Sequence, residues 1–147
     1  MSQLMDALAR ILPPKQVIND PLRRLAYGTD ASFYRLTPEV VAVVESEEEV
    51  QALLQATRAL GIAVTFRAAG TSLSGQAVTD SVLALIGEGL ATCEIGSDAA
   101  TVQVGPGIIG GEVNFRLAPH GRKIGPDPAS INACKIGGIA ANNASGM

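Results

Sequence analysis

The sequence predicts an α+β fold, in which a β-α-β unit is joined to a small mixed sheet and preceded by a short helical arm. Three observations carry this reading. Two short apolar runs, Val40–Val44 and residues 63–67, flank one amphipathic stretch with brief connections, the pattern of a right-handed parallel crossover. Three further runs, at Val82–Ile86, residues 92–95 and residues 101–104, are too short for helices and are separated by turn residues. Ahead of residue 40 the apolar positions repeat with helical spacing and are interrupted by proline.

Taken in order, Ser2 can cap a helix whose Leu4, Leu8, Ile11 and Leu12 fall on one stripe, with Pro13 and Pro14 stopping it. Asp20-Pro21 reads as an N-cap with proline at the first helical position, opening a turn or two through Leu25. Residues 28–38 are polar and turn-rich and read as a connection, so residues 1–38 form the helical arm and 39–147 the main subdomain. VVAVV at Val40–Val44 is a buried strand. Ser46 and Glu49 then make a capping box for a helix to about Leu60, with Val50, Leu53, Leu54, Thr57 and Leu60 facing inward. Gly61 stands at the C-cap position. Gly96-Ser97-Asp98 joins the last two strands as a hairpin, and a helix from about Gly110 to Leu117 ends at Pro119. The remainder is expected to be mostly loop. Nine of the 16 glycines fall between Gly105 and Gly146, which marks close backbone approach rather than core. The chain stops at Met147 inside this run, as a cut piece would.

Composition narrows the function. With 147 residues, 47% of them apolar, and a mean hydropathy of +0.26, the chain suits one globular domain. The formal charge is −3 and no basic cluster occurs, which excludes a phosphate-tracking nucleic-acid surface. Aromatic residues are 3% and tryptophan is absent, so stacking platforms for single strands are missing as well. Cys93 and Cys134 form no CxxC pair, which argues against structural zinc and fits a reducing compartment. No signal peptide is evident at the N-terminus, and no apolar run approaches the roughly 20 residues of a membrane span, so a cytoplasmic protein without transmembrane segments is expected.

Four stretches can carry chemistry. The first is Arg67-Ala68-Ala69-Gly70-Thr71-Ser72-Leu73-Ser74-Gly75, which leaves a buried strand and strings small and hydroxyl residues between two glycines. Small side chains let backbone N–H groups converge on an anion; Thr71, Ser72 and Ser74 can add hydroxyls and Arg67 positive potential. A plain glycine-bracketed turn fits the same spacing. The second is a literal GxGxxG at residues 105–110, between strand and helix, the context of a dinucleotide fingerprint. Pro106 removes one N–H from it, and Asp127, the acidic residue at about the right distance, lies in a Pro-Asp-Pro loop, so a tight turn is preferred to NAD binding. The third holds Pro126, Asp127, Pro128 and Ser130, a rigid turn around one carboxylate. The fourth, residues 137–146, is almost free of large side chains and presents Gly137, Gly138, Asn142, Asn143, Ser145 and Gly146 either to another backbone or to a flat ligand. The single histidine, His120, has no nucleophile elbow to serve, and no catalytic residue or metal ligand can be named.

In this order, the words GTDASFYR (28–35), VTFRAAGTSLSGQA (64–77), GRKIGPDPASI (121–131) and GGIAANNASGM (137–147) resemble the FAD-binding domain of the vanillyl-alcohol-oxidase and p-cresol-methylhydroxylase (PCMH) type. The nearest likeness is to D-lactate and D-2-hydroxy-acid dehydrogenases; the alternatives are a non-dehydrogenase member of the same FAD fold, against which GTDASFYR and GPDPASIN weigh, and a noncatalytic fragment. The resemblance implies an α+β fold in which this chain is the first subdomain of a domain gripping an extended FAD. It also implies that residues 67–75 bind the diphosphate, that Pro126, Asp127, Pro128 and Ser130 run beside the cofactor, and that the 137–146 positions lie against phosphates, ribityl chain and flavin. Members that attach FAD covalently through this loop carry histidine where Thr71 stands, so noncovalent FAD is implied. The implied partners are a small 2-hydroxy acid and an electron acceptor. Catalytic groups, and any iron–sulfur cysteines, are expected outside this chain, which alone is expected to lack turnover. The resemblance also allows a peripheral position at the inner face of a membrane.

Overall fold

A computed structural model describes residues 3–146. The chain divides into two compact units, one ending at Gly87 and the other starting at Glu88. The expected Ser2 cap lies outside the described residues.

The first unit is a four-stranded sheet with three α-helices. Its strands are β1 (Val17–Ile18), β2 (Val40–Val44), β3 (Val64–Arg67) and β4 (Val82–Ile86), in the order β1-β2-β4-β3. β2, β4 and β3 are parallel, and β1 joins as an antiparallel edge. The β-α-β unit is present, but β4 lies between its two strands. That placement follows from burial: VVAVV and VLALI are apolar on both faces, as strands covered on both sides must be, whereas β3 keeps Phe66 exposed and suits an edge. Ile18, Val41 and Leu83 form a buried cluster against one face.

The helices are α1 (Gln3–Ile11), α2 (Pro21–Ala26) and α3 (Glu47–Ala59). Leu4 and Leu8 bury the stripe of α1, which packs on α3. Asp20 caps α2 by accepting from the Arg23 amide at 2.9 Å, with Pro21 at the first turn. Ser46 caps α3 through the Glu49 amide. The other half of the capping box differs from expectation. Glu49 accepts from the Glu45 amide at 2.7 Å, one residue before the cap, and from buried Gln16 at 2.7 Å. Gln16 also donates to the Val43 carbonyl at 3.0 Å, tying the segment after α1 to β2. Of the predicted inward stripe, Leu53 and Thr57 are buried, Val50 and Leu60 are half-buried, and Leu54 is exposed.

Gly61 closes α3 with φ +67°; its amide donates to Arg58 and the Ile62 amide to Thr57, the two bonds of a Schellman motif. Nothing lies within 4 Å of a Cβ there, so only the left-handed conformation demands glycine. Gly61→Ala is accordingly expected to cost about 1 kcal/mol in denaturant unfolding with an unchanged slope.

The second unit pairs β5 (Cys93–Ile95) with β6 (Val102–Val104) as an antiparallel hairpin and adds α4 (Gly110–Leu117) and α5 (Ile136–Ala141). Ile108, Val113 and Leu117 form its core, with Ile95, Val102 and Val104 packed against them. Beyond residue 120 the chain is mostly loop, as expected, and α5 is the one element the sequence did not announce there among the described residues. Its sequence, IGGIAA, holds two poor helix formers and no side-chain cap, so local signals are silent. Tertiary bonds hold it instead: the Ile136 amide donates to Ile108, the Gly137 amide to Pro106, and Ile139 is buried. Among the described residues no helix is long and apolar enough to cross a membrane. Mixed α+β architecture is thus present as expected.

Candidate cofactor-binding site

Residues 68–77 leave the edge strand β3 and turn back toward β4 without regular structure. Gly70 and Gly75 adopt φ +73° and +71°, conformations in which L side chains are strained. The amides of Gly70, Thr71, Ser72, Leu73 and Gly75 find no hydrogen-bond acceptor among the described residues, although the segment is only partly exposed. Water-accessible N–H groups free of protein acceptors, carried by small residues between two glycines, can turn to an anion instead of solvent. The hydroxyls divide. Ser72 donates to Gln76 at 2.9 Å and accepts from the Ser74 amide at 3.1 Å, so it shapes the turn. Thr71 and Ser74 have no side-chain partner among the described residues.

Arg67, at the base of the loop, is turned away from a purely ligand-facing role. Its Nη1 donates to the Thr29 carbonyl at 2.7 Å and the Tyr27 carbonyl at 3.2 Å, and the guanidinium lies 5.9 Å from the Tyr27 ring centre. Burial lowers its pKa, opposed by the charge of Asp30 and by Tyr27; an arginine remains a cation at neutral pH. The Asp30 carboxyl is raised by burial, but bonds from the Ser32 side chain and amide, from the Ala77 amide, and the Arg67 charge together hold it below the ordinary aspartate value. It is therefore ionised throughout the neutral range.

These partners were missed in the sequence, where residues 28–38 read as a mere connection. Asp30-Ala31-Ser32 is an Asx turn, Oδ1 accepting from the Ser32 amide at 2.8 Å, and that Asp-x-Ser pattern was the available signal. The Tyr34 ring occupies the space that a Cβ on Gly75 would need.

In the second unit the GxGxxG at 105–110 is saturated by protein. Gly105 donates to Thr92, Gly107 to Leu90, and Gly110 to Cys134, all at 2.9–3.0 Å. A dinucleotide fingerprint needs those amides for pyrophosphate; here the motif is a packed turn, as the sequence reading preferred. Asp127 is exposed and pairs with Lys123 at 3.0 Å. The Ser130 carbonyl accepts from the Ala133 and Cys134 amides, and Pro128 is buried. Gly146 lies so close to the Asp127 carbonyl that no side chain fits, which brings the end of the 137–146 stretch beside residues 126–130. Gly137 is glycine because α5 approaches Pro106; a Cβ there would lie 2.8 Å from the Pro106 Cβ. Asn142, Asn143 and Ser145 are exposed, and Asn143 has φ +45°.

A family model described as an FAD binding domain matches residues 38–147. The chain belongs to this FAD-binding domain family. Among curated relatives, it is 31% identical to glycolate oxidase subunit GlcD of Escherichia coli (strain K12), over 99% of this chain and 30% of that protein. It is 27% identical to the D-2-hydroxyglutarate dehydrogenase of Pseudomonas putida, over 90% of this chain and 14% of that protein. It is 32% identical to the D-lactate dehydrogenase of Archaeoglobus fulgidus, over 74% and 24%. Among solved structures, an alkyldihydroxyacetonephosphate synthase shares the fold with a TM-score of 0.82 at 21% identity, covering 98% of this chain and 32% of that one. A chitooligosaccharide oxidase does so at 0.72 and 18%, covering 95% and 30%. The chain thus spans a third or less of these proteins' lengths. Its α+β architecture is shared with these solved structures, its cofactor is FAD, and its curated relatives are a glycolate oxidase subunit and dehydrogenases of D-2-hydroxyglutarate and D-lactate. The loop fits that cofactor: unpartnered amides and small side chains suit a diphosphate, which accepts several short bonds at once.

Proposed function

We propose that the chain is the FAD-binding part of a flavin-dependent dehydrogenase that oxidises a D-2-hydroxy acid such as D-lactate or glycolate. The observation that carries this reading is the set of unpartnered amides of Gly70, Thr71, Ser72, Leu73 and Gly75. Together with the Thr71 hydroxyl, these groups hold the diphosphate without a covalent bond. Pro126, Asp127, Pro128 and Ser130, with Gly137, Gly138, Asn142, Asn143, Ser145 and Gly146, supply the remaining contacts that the resemblance assigns. The flavin, when bound, supplies acceptance of a hydride from the substrate's α-carbon, and an electron acceptor then takes the electrons. What this chain contributes is binding, orientation and electrostatics; the substrate groups belong to other parts of the parent protein.

Titration of the chain with FAD and, separately, with NADH tests this, followed by flavin fluorescence and binding stoichiometry. Saturable binding of FAD near one equivalent, with no NADH binding, is expected, and the chain by itself is expected to show no steady turnover of D-lactate. NADH binding without FAD, or binding of neither, overturns the proposal.

A further inference from the structure

A row of donors aimed at one anion binds it well only if the loop is already held in that shape, because ordering a mobile segment on binding subtracts from affinity. Its own contacts are few: the Ser72 hydroxyl is its main internal brace. The rest of the support comes from residues 27–34. They touch the loop at its base through Arg67, at the first glycine through the Ala31 amide on the Gly70 carbonyl at 3.1 Å, and at the second through Tyr34. They touch its end through Asp30 Oδ2, which accepts from the Ala77 amide at 3.4 Å.

One carboxylate serves two of these tasks. Oδ1 of Asp30 fixes the Asx turn that presents the Ala31 amide to Gly70, and Oδ2 anchors the far end of the loop. We infer that Asp30 is a positioning residue for cofactor binding, which holds the 67–77 loop in its anion-accepting shape from outside the loop. The Asp30 charge also favours the charged form of Arg67, and the Arg67 charge that of Asp30. The inference rests on the reading of this loop as the diphosphate site, and its test is chosen to separate the two.

The test uses the full chain and its Asp30→Ala and Asp30→Asn variants, with two readouts. The first is amide exchange in the absence of cofactor, resolved by NMR at Ala31, Ser32 and Ala77 and, as an internal control, at Val41 and Leu83. The second is the Kd for FAD. Asp30→Ala is expected to speed exchange at Ala31 and Ser32 of the bracing segment and at Ala77 of the loop roughly tenfold or more, the order of losing a bond to a charged group, while the two strand amides keep their rates. FAD affinity is expected to fall by a similar factor, and Asp30→Asn, which retains an acceptor, is expected to recover part of both. Unchanged exchange at those three amides in both variants overturns the inference. So does equal acceleration at them and at the strand amides in both variants, since that is a merely structural role. A wild-type chain that binds no FAD overturns the diphosphate reading instead, and the exchange rates still decide whether Asp30 holds the loop.

Discussion

Gly105→Val is expected to destabilise the second unit by roughly 3 kcal/mol or more, a large share of the stability of a small domain. A Cβ at Gly105 would press into the Leu90 carbonyl oxygen and lie 2.8 Å from Thr92 Oγ1. The obstruction is backbone, so no rotamer change relieves it. Separating the two segments breaks the bond from Gly105 to Thr92 and the neighbouring bond from Gly107 to Leu90, both 2.9 Å. Those bonds seat the turn that leads into α4, whose Val113 and Leu117 are core. Both tyrosines, Tyr27 and Tyr34, are in the first unit and tryptophan is absent, so tyrosine and tryptophan fluorescence do not report on this region. The measurement is amide exchange across residues 102–117: accelerated exchange there, with β2 and β4 unaffected, is expected. Wild-type protection would show that the turn tolerates a side chain and that its glycines serve something other than packing.

Gly70→Val is expected to have the opposite profile, with FAD affinity lowered roughly tenfold or more and the sheet intact. A β-branched residue at φ +73° is strained by about 1–2 kcal/mol before any contact is counted. Its Cβ would also lie 2.7 Å from the Arg67 Cζ. A free arginine would swing away, but this one is held by the Tyr27 and Thr29 carbonyls, so moving it sacrifices bonds to a charged group, each worth about 1.5–3 kcal/mol. Relief comes most readily from the loop itself, which changes the direction of the amides that follow. Calorimetric titration with FAD, beside thermal unfolding, checks both halves. An unchanged Kd would show that the left-handed turn at Gly70 is unnecessary for the cofactor.

The two glycine motifs look alike as strings, and local chemistry separated them only in part. Pro106 argued correctly against a phosphate turn at 105–110, yet the stronger reason, saturation of its amides by Leu90, Thr92 and Cys134, depends on chain segments distant in sequence. For residues 67–75 the composition left an anion cradle and an ordinary turn both open. The tertiary structure leaves the amides of Gly70, Thr71, Ser72, Leu73 and Gly75 without an acceptor among the described residues, while the Gly70 carbonyl takes the Ala31 amide and the Ser72 hydroxyl takes the Ser74 and Gln76 amides. Arg67 is the clearest change of role, since a cation beside a candidate phosphate loop reads as a ligand, while its nearest carbonyls belong to residues about forty positions earlier.

What the amino-acid order determined alone are features whose causes lie within a few residues: the β2 and β4 strands from apolar runs, the caps at Asp20 and Ser46, the Gly61 stop and the hairpin of β5 and β6. The tertiary structure decided the insertion of β4 between β2 and β3, the six-residue α5 in a glycine-rich stretch, and the contacts of the 67–77 loop with Asp30 and Tyr34. The physical reason is the same in each case. Strand order, a helix without propensity and a loop contacted from outside all draw their free energy from contacts between segments far apart in the chain, which no local pattern records.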